Sequence, residues 1–290
     1  MAQRTVPSLD ELKEQFPVWD RARDLVDQYI DIILNYRQSG HPGGSRSKAH
    51  MLLGLMLSGA MRHDLRRPDK KFADRFVLGA GHTVPLVYAT LAVLNETLRA
   101  RFDQTGDPRF RIFDVEKRGL FWEDLVGFRH RGGLAGHAEI TPKTLFLKSN
   151  TGPSGHGTPA AAGQAIALKR AGLGDVKVFI IEGEGGLTPG ATHETLNAAW
   201  GMALGNLHFL VDWNDFGIDG HAVSSVVYGG PDDWFQSHGW ETVGAEDGSE
   251  WKSVTQALLR LVGESSKDRV PRAAWFKTRK GRGYLKYDNA

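Results

Sequence analysis

The chain has 290 residues, enough for one large α/β domain or two small ones, and its hydrophobic (41%) and charged (24%) contents are ordinary for a globular protein. The formal net charge of +2 comes without a basic block, so nothing indicates a nucleic-acid partner, and the lack of cysteine excludes disulfides, iron–sulfur clusters and thiolate chemistry. The start has no apolar secretory core and no apolar run approaches membrane-spanning length, so we expect a cytoplasmic protein without a membrane partner.

Helices and strands are expected to alternate along the chain. Ser8 to Glu11 has the form of a capping box, and apolar residues recur at helical spacing from Arg21 to Arg37. The segment Ser39 to Gly44 should then form a loop, and the polar stretch from Thr105 to Glu116 should be irregular. The remaining predicted helices are 47–61, 84–100, 158–169, 191–204, 231–238 and 250–263. The predicted strands are 75–78, 176–181, 207–212, 240–244 and 273–277.

This alternation predicts an α/β fold with a doubly wound, mainly parallel sheet flanked by helices, and we expect residues 1–290 to form a single domain. A dinucleotide-binding dehydrogenase is not expected. No Gly-x-Gly-x-x-Gly segment opens a helix directly after a first strand with an acidic residue at the usual distance.

The most informative segment joins two of the predicted strands. Glu184 stands between glycines after one apolar run, and Asn214 follows the next apolar run thirty positions later. If the two runs are neighbouring parallel strands, both side chains lie at the carboxyl edge of the sheet, where such folds bind ligands. Carboxylate and amide oxygens beside closely approaching backbone suit a hard cation that holds a diphosphate. An acidic residue between glycines is also common in plain surface turns, so the spacing alone leaves both readings open.

Six segments in sequence order resemble the motifs of the transketolase family. The Glu184 and Asn214 pair resembles the thiamine-diphosphate signature of an acid between glycines and a distant Asn. The other five are Ser39-Gly40-His41-Pro42-Gly43, Gly81-His82, Gly136-His137-Ala138-Glu139, Thr151 to Gly157, and Lys280-Gly281-Arg282-Gly283. The resemblance spans nearly the whole chain and implies the thiamine-diphosphate-binding fold, in its diphosphate-binding form.

The resemblance implies thiamine diphosphate as cofactor, together with Mg²⁺ or Ca²⁺. By resemblance, the metal ligands are Glu184, Asn214 and the backbone carbonyl of Phe216. The cofactor-binding residues implied in the same way are His82, Gly152, Pro153, Ser154, Gly183, Glu184, Gly185, Asn214 and Ile218. A core role for Ile218 is an equal alternative. His41, His82 and His137 are the implied catalytic residues, because histidines near the thiazolium can bind donor hydroxyls and shuttle protons.

The implied reaction is the transfer of two-carbon ketol units between sugar phosphates, as in the pentose phosphate pathway. Several positions depart from the family pattern. Glu184 replaces an Asp, Ser154 and His156 make the glycine-rich segment more polar, and Pro189 stands where an acid is expected. Glu194 does match a second family acid. Because Pro189 replaces the first acid, however, the proton link between subunits that is proposed for the family is in doubt here.

Transketolases also have a pyrimidine-binding domain and a C-terminal domain, for which this sequence has no counterpart. We expect the diphosphate-binding subunit of a split enzyme or a truncated product. The expected partner is a second copy or a chain with the pyrimidine-binding domain. The helix from Ala191 to Leu204 could form that contact or simply cover the sheet. The alternatives are the first component of pyruvate dehydrogenase, deoxyxylulose-phosphate synthase, and a catalytically silent cofactor-binding module.

Overall fold

The computed structural model describes residues 6–218, 221–263 and 269–288. These residues form a five-stranded sheet in which all neighbouring strands are parallel. Its strands are β1 (Arg75–Leu78), β2 (Val178–Gly183), β3 (Leu207–Trp213), β4 (Glu241–Ala245) and β5 (Arg272–Lys277). They lie in the order β1-β2-β3-β5-β4, so β5 is inserted between β3 and β4.

Eleven helices in the described residues accompany the sheet. They are α1 (Leu9–Lys13), α2 (Phe16–Arg37), α3 (Pro42–Ser47), α4 (Ala49–Leu57), α5 (Val84–Thr105), α6 (Val115–Arg118), α7 (Trp122–Leu125), α8 (Gly157–Arg170), α9 (Gly190–Gly201), α10 (Pro231–Gln236) and α11 (Trp251–Val262). None of the helices in this part of the chain has the length and apolar character needed to cross a membrane.

Two apolar layers cover the two faces of the sheet, because side chains alternate along each strand. In β1, Phe76 and Leu78 belong to the larger core, while Val77 belongs to the smaller one. Helices α2, α4, α5 and α11 pack in the larger core, and α8, α9 and α10 accompany the smaller one. The predicted α/β fold with a parallel sheet between helices is confirmed.

The register of β2 and β3 determines what meets at the carboxyl edge. Val178 pairs with Leu207 at one end of the pair, and Gly183 pairs with Asp212 at the other. The residues that follow each strand therefore emerge side by side. Glu184 begins a short 3-10 turn, Glu184–Leu187, and Asn214 comes directly after Trp213. The sheet thus brings together two positions that are thirty residues apart in sequence.

Three local predictions are wrong in detail. The segment expected as a loop from Ser39 to Gly44 becomes helical at Pro42, because proline fits the first turn of α3 and Gly43 and Gly44 continue it. The helix expected at 47–61 is interrupted at Lys48, which ends α3 and precedes α4. The polar stretch expected to be irregular contains the last turn of α5, a short 3-10 turn and the start of α6.

Candidate functional site

Glu184 and Asn214 lie in contact at the carboxyl edge of β2 and β3. The backbone N–H of Asn214 donates a hydrogen bond to Glu184 Oε2 at 3.0 Å, and both residues are buried. The amide oxygen of Asn214 accepts a hydrogen bond from the backbone N–H of Phe216, also at 3.0 Å. The chain therefore turns tightly after β3 and holds Asn214 and Phe216, the other two predicted metal ligands, in one short segment beside Glu184.

Asp212 is the centre of the hydrogen bonds beneath this pair. Its Oδ2 atom accepts from Ser47 Oγ (2.6 Å), Lys48 Nζ (2.7 Å) and Asn214 Nδ2 (2.7 Å). Its Oδ1 atom accepts a hydrogen bond from Thr278 Oγ1, just after β5. Because Asp212 is completely buried, these donors compensate for its lost hydration.

We call Lys48, Glu182, Glu184, Asp212 and Asn214 the carboxyl-edge cluster. Its oxygen donors fit a divalent cation. Glu184 Oε1 is buried and has no hydrogen-bond partner among the described residues. The amide oxygen of Asn214 retains a second lone pair. The three carboxylates exceed the single ammonium by two formal charges, which one divalent cation would neutralise. Carboxylate, amide and carbonyl oxygens are also the ligands that Mg²⁺ and Ca²⁺ prefer.

Burial makes the two glutamates of the cluster weak acids. It raises the pKa of Glu184 to about 8, with a smaller contribution from the Asp212 carboxylate. Burial likewise raises the pKa of Glu182 to about 7, although Glu182 accepts hydrogen bonds from the backbone N–H groups of Gly155 and Gly183. A bound cation would favour the ionised carboxylates, so cation binding and proton release are expected to be coupled.

The glycine-rich segment from Thr151 to Gly157 packs against the ends of β1 and β2. Gly155 has a φ of 82°, and a Cβ atom there would lie 2.8 Å from the carbonyl oxygen of Gly186. A Cβ on Gly157 would lie 2.8 Å from Gly79 Cα. By contrast, Cβ atoms on Gly152 and Gly185 would meet no atom within 4 Å. These two predicted cofactor-binding glycines therefore border open space rather than packed protein.

Two of the three predicted catalytic histidines are in contact. The rings of His41 and His82 lie edge to face with centroids 4.9 Å apart. Burial lowers the pKa of His82 to about 3, helped by the positive charge of Lys48, and burial also lowers the pKa of His41. Both imidazoles are therefore neutral near pH 7. His137 is exposed and close enough to contribute to the lowering of both pKa values.

The other predicted site residues occupy more open positions. Pro153 is exposed, Ser154 is half-buried, and Ile218 is 89% exposed, so the structure does not place Ile218 in the protein core. His156 is exposed and its Nδ1 lies 3.3 Å from the carbonyl oxygen of Ser154. Pro189 precedes the first residue of α9.

Sequence reasoning missed three buried members of the site: Lys48, Glu182 and Ser47. Two signals could have found them. A lysine directly before α4, a helix that is apolar except for His50, has no solvated helix face to occupy. An acidic residue inside the buried run of β2 requires a dedicated set of hydrogen-bond donors. Asp212, at the end of β3, was not predicted as a site residue either.

This fold, with an acid and an amide at the ends of adjacent parallel strands, defines the thiamine-diphosphate-binding class of α/β proteins. Residues 117–283 match the family model described as the transketolase, thiamine diphosphate binding domain. The chain belongs to the transketolase family.

Individual relatives agree with this assignment. The transketolase of Halalkalibacterium halodurans is 31% identical over 84% of this chain and 34% of its own length. Transketolase 2 of Xanthobacter flavus is 30% identical over 85% of this chain and 33% of its own length. A structure of Pichia stipitis transketolase in complex with sedoheptulose-7-phosphate has a TM-score of 0.78 at 24% identity. It covers 94% of this chain and 37% of the other, and at this identity it establishes the fold alone. The chain spans about a third of the length of the curated relatives it matches.

Proposed function

We propose that this chain binds the diphosphate of thiamine diphosphate through a divalent cation, Mg²⁺ or Ca²⁺, held by Glu184, Asn214 and the carbonyl of Phe216. The observation that carries the proposal is the buried Oε1 atom of Glu184, which has no hydrogen-bond partner among the described residues. The other oxygen of the same carboxyl group, Oε2, holds the backbone N–H of Asn214 in place. A buried carboxylate oxygen without a donor is costly unless a cation or a proton joins it.

The proposed activity is the transfer of two-carbon ketol units between sugar phosphates, as part of a larger assembly. Thiamine diphosphate, when bound, supplies an electron sink for the carbon–carbon bond that is broken. The related transketolases support this class, and one solved relative carries a sugar phosphate. Because the chain spans about a third of these relatives, we propose that a second chain or further domain provides the pyrimidine-binding part of the site.

The proposed roles of the chain's own residues follow from their charge states. His41 and His82 act as neutral hydrogen-bond donors or acceptors toward substrate hydroxyls, because both pKa values are lowered by burial. His137, which is exposed, binds donor hydroxyls from the open side of the site. The open space at Gly152 and Gly185 lets the cofactor approach the backbone there. Ile218, exposed in the chain alone, provides an apolar surface for the thiazolium ring.

The contact with the partner is proposed for the surface that begins at α9. Trp200 is 56% exposed and Met202 is 49% exposed, and both lie at the end of this helix. Large exposed apolar side chains commonly mark interfaces. Either a second copy of the chain or the complementary chain fits this proposal, and sedimentation of the purified protein with and without that chain separates the two.

Cofactor titration tests the metal site directly. Trp213 lies between Asp212 and Asn214, so quenching of its fluorescence should report binding of thiamine diphosphate with Mg²⁺ present. Glu184→Ala should weaken this binding roughly 10- to 100-fold or more, since even indirect supports of metal ligands cost that much. Glu184→Asp should keep or tighten binding.

The matched control is Glu116→Ala, which removes an exposed carboxylate on α6 and should leave the affinity unchanged. Equal affinity in the wild-type chain, Glu184→Asp and Glu184→Ala would remove Glu184 from the metal site. Failure of the wild-type chain to bind the cofactor would contradict the proposal and favour a catalytically silent scaffold that keeps the fold. With binding established, assays with ketose phosphates and with pyruvate separate ketol transfer from the activities of the related thiamine enzymes.

A further inference from the structure

Lys48 is a buried lysine in the middle of a site built from acids. It joins α3 to α4 and is only 2% exposed. Its Nζ atom donates to Asp212 Oδ2 at 2.7 Å and to the carbonyl oxygen of Gly44 at 3.2 Å. An ammonium has three protons to donate, so one of them has no acceptor among the described residues. A buried charge normally satisfies all its hydrogen bonds, which makes the third proton informative.

The position of Nζ indicates where that third proton can go. A Cβ atom on Gly183 would lie 3.8 Å from Nζ, and a Cβ atom on Gly44 would lie 3.4 Å from it. The same Gly44 position is 3.9 Å from Nε2 of His82. The ammonium therefore lies between Gly183, the residue before Glu184, and the region of Gly44 and the His82 imidazole. This is the same edge of the sheet at which the diphosphate is proposed to bind.

The charges of the carboxyl-edge cluster also indicate that Lys48 faces an anionic ligand. When the three carboxyl groups of the carboxyl-edge cluster are ionised, as a bound cation favours, they repel an anionic diphosphate unless cations compensate. Without Lys48, one divalent cation would leave the three ionised carboxylates one formal negative charge in excess. Lys48 supplies a positive charge at a fixed position, and a charge-assisted hydrogen bond to a phosphate oxygen is stronger than a neutral one.

We propose that Lys48 Nζ donates its third proton to a diphosphate oxygen and so acts as a second, protein-borne cation beside the divalent metal. The proposal rests on the proposed function, because it places a lysine contact in the diphosphate site. Its consequence is specific: part of the affinity for a diphosphate persists when the divalent metal is removed. A lysine that only balanced Asp212 would give no such residual binding.

The test measures the affinity for thiamine diphosphate and for inorganic pyrophosphate, with Mg²⁺ and with EDTA. Lys48→Met should weaken pyrophosphate binding in EDTA roughly 10- to 100-fold, the effect of one hydrogen bond to a charged group. Lys48→Arg should retain part of the binding. The control is Lys148→Met, which removes another largely buried lysine whose Nζ bonds to the carbonyl oxygen of Pro68 instead. It should bind both ligands as the wild-type chain does.

Lys48→Met leaves Asp212 without its cation and could unfold the chain, so a second pair of variants is needed. Asp212→Asn frees Lys48 from its ion pair and should keep or tighten pyrophosphate binding in EDTA. Lys48→Met combined with Asp212→Asn removes both charges together and should lose that binding while the circular dichroism spectrum stays native.

The outcomes separate this inference from the proposed function. If the double variant binds pyrophosphate in EDTA as tightly as Asp212→Asn does, Lys48 does not contact the diphosphate. The inference alone also fails if the wild-type chain binds thiamine diphosphate with Mg²⁺ and no Lys48 variant changes either affinity. If the wild-type chain binds no cofactor even with Mg²⁺, the proposed function fails, and this inference with it.

Discussion

The carboxyl edge of the sheet and its middle, which we call the body, consist of the same strands but contribute buried side chains of opposite polarity. Within the body, β2 and β3 contribute apolar side chains such as Ile180 and Phe209, and these pack without polar partners. At the edge, the same two strands end in Glu182 and Asp212, which are equally buried but charged. Apolar burial needs only a complementary shape, whereas each buried charge needs donors at defined positions.

The apolar body stabilises the fold, whereas the charged edge lowers stability and is explained by a function. The body gains free energy from the area it removes from water. The edge requires Ser47 and Lys48 from one part of the chain and Thr278 from another to satisfy the single carboxylate of Asp212. Replacing such charges with apolar residues often stabilises proteins, so their presence points to the site rather than to the fold.

The largest loss of stability should come from removing the Asp212 carboxylate at the carboxyl edge. Asp212→Ala leaves the Lys48 ammonium buried without its anion, and Ser47 and Asn214 lose an acceptor. Removing one partner of a buried ion pair costs about 3–5 kcal/mol, so the free energy of unfolding should fall by that amount in denaturant titrations.

Lys48→Met combined with Asp212→Ala is the matched control for this loss. Because neither charge then remains unpaired, the double variant should be clearly more stable than Asp212→Ala alone. A loss below about 1 kcal/mol for Asp212→Ala, the range of exposed pairs, would mean that water reaches the ammonium and that the edge is not built as described.

The body of the sheet is also the part that the sequence predicts well. The apolar runs of β2 and β3 lie within a residue or two of their predicted bounds, because periodic burial is encoded locally. The edge was predicted only where a short motif identified it, at Glu184 and Asn214. Lys48 reaches Asp212 across 164 positions, and no local pattern encodes a contact at that distance. The helical turn at Pro42 was missed because consecutive glycines indicate a loop unless tertiary packing overrides them.

His50 is an exception within the apolar body and allows a smaller test. It lies in α4 with its ring centroid 4.5 Å from that of Trp251, and its Nδ1 atom is buried without a hydrogen-bond partner among the described residues. Burial lowers the pKa of His50 to about 3, from an ordinary value of 6.5. Below about pH 6.5 the unfolded chain therefore binds a proton that the folded chain does not.

The free energy of unfolding should then fall as the pH is lowered from about 6.5 toward 3, by up to about 1.4 kcal/mol per pH unit from this residue. Denaturant titrations at several pH values measure the slope. His50→Phe should remove this contribution whatever its effect on stability at pH 7. An unchanged slope would place the His50 ring in contact with water, and the body would then be less dry than its packing indicates. His63→Phe is a comparison at a half-buried histidine, whose Nδ1 is within hydrogen-bond distance of the carbonyl oxygen of Met61.

The smallest expected effect tests whether the body and the edge are independent. Ile180 lies in the middle of β2, two residues before Glu182, and faces the smaller core. Ile180→Val removes one methylene group and should lower the free energy of unfolding by about 0.5–1.5 kcal/mol. It leaves every hydrogen bond of the carboxyl-edge cluster in place, so the affinity for thiamine diphosphate with Mg²⁺ should not change. If the affinity falls together with stability, the strand transmits core packing to the positions of Glu184 and Asn214. Body and edge would then be one coupled unit, and the losses at Asp212 and Ile180 should not add in the double variant.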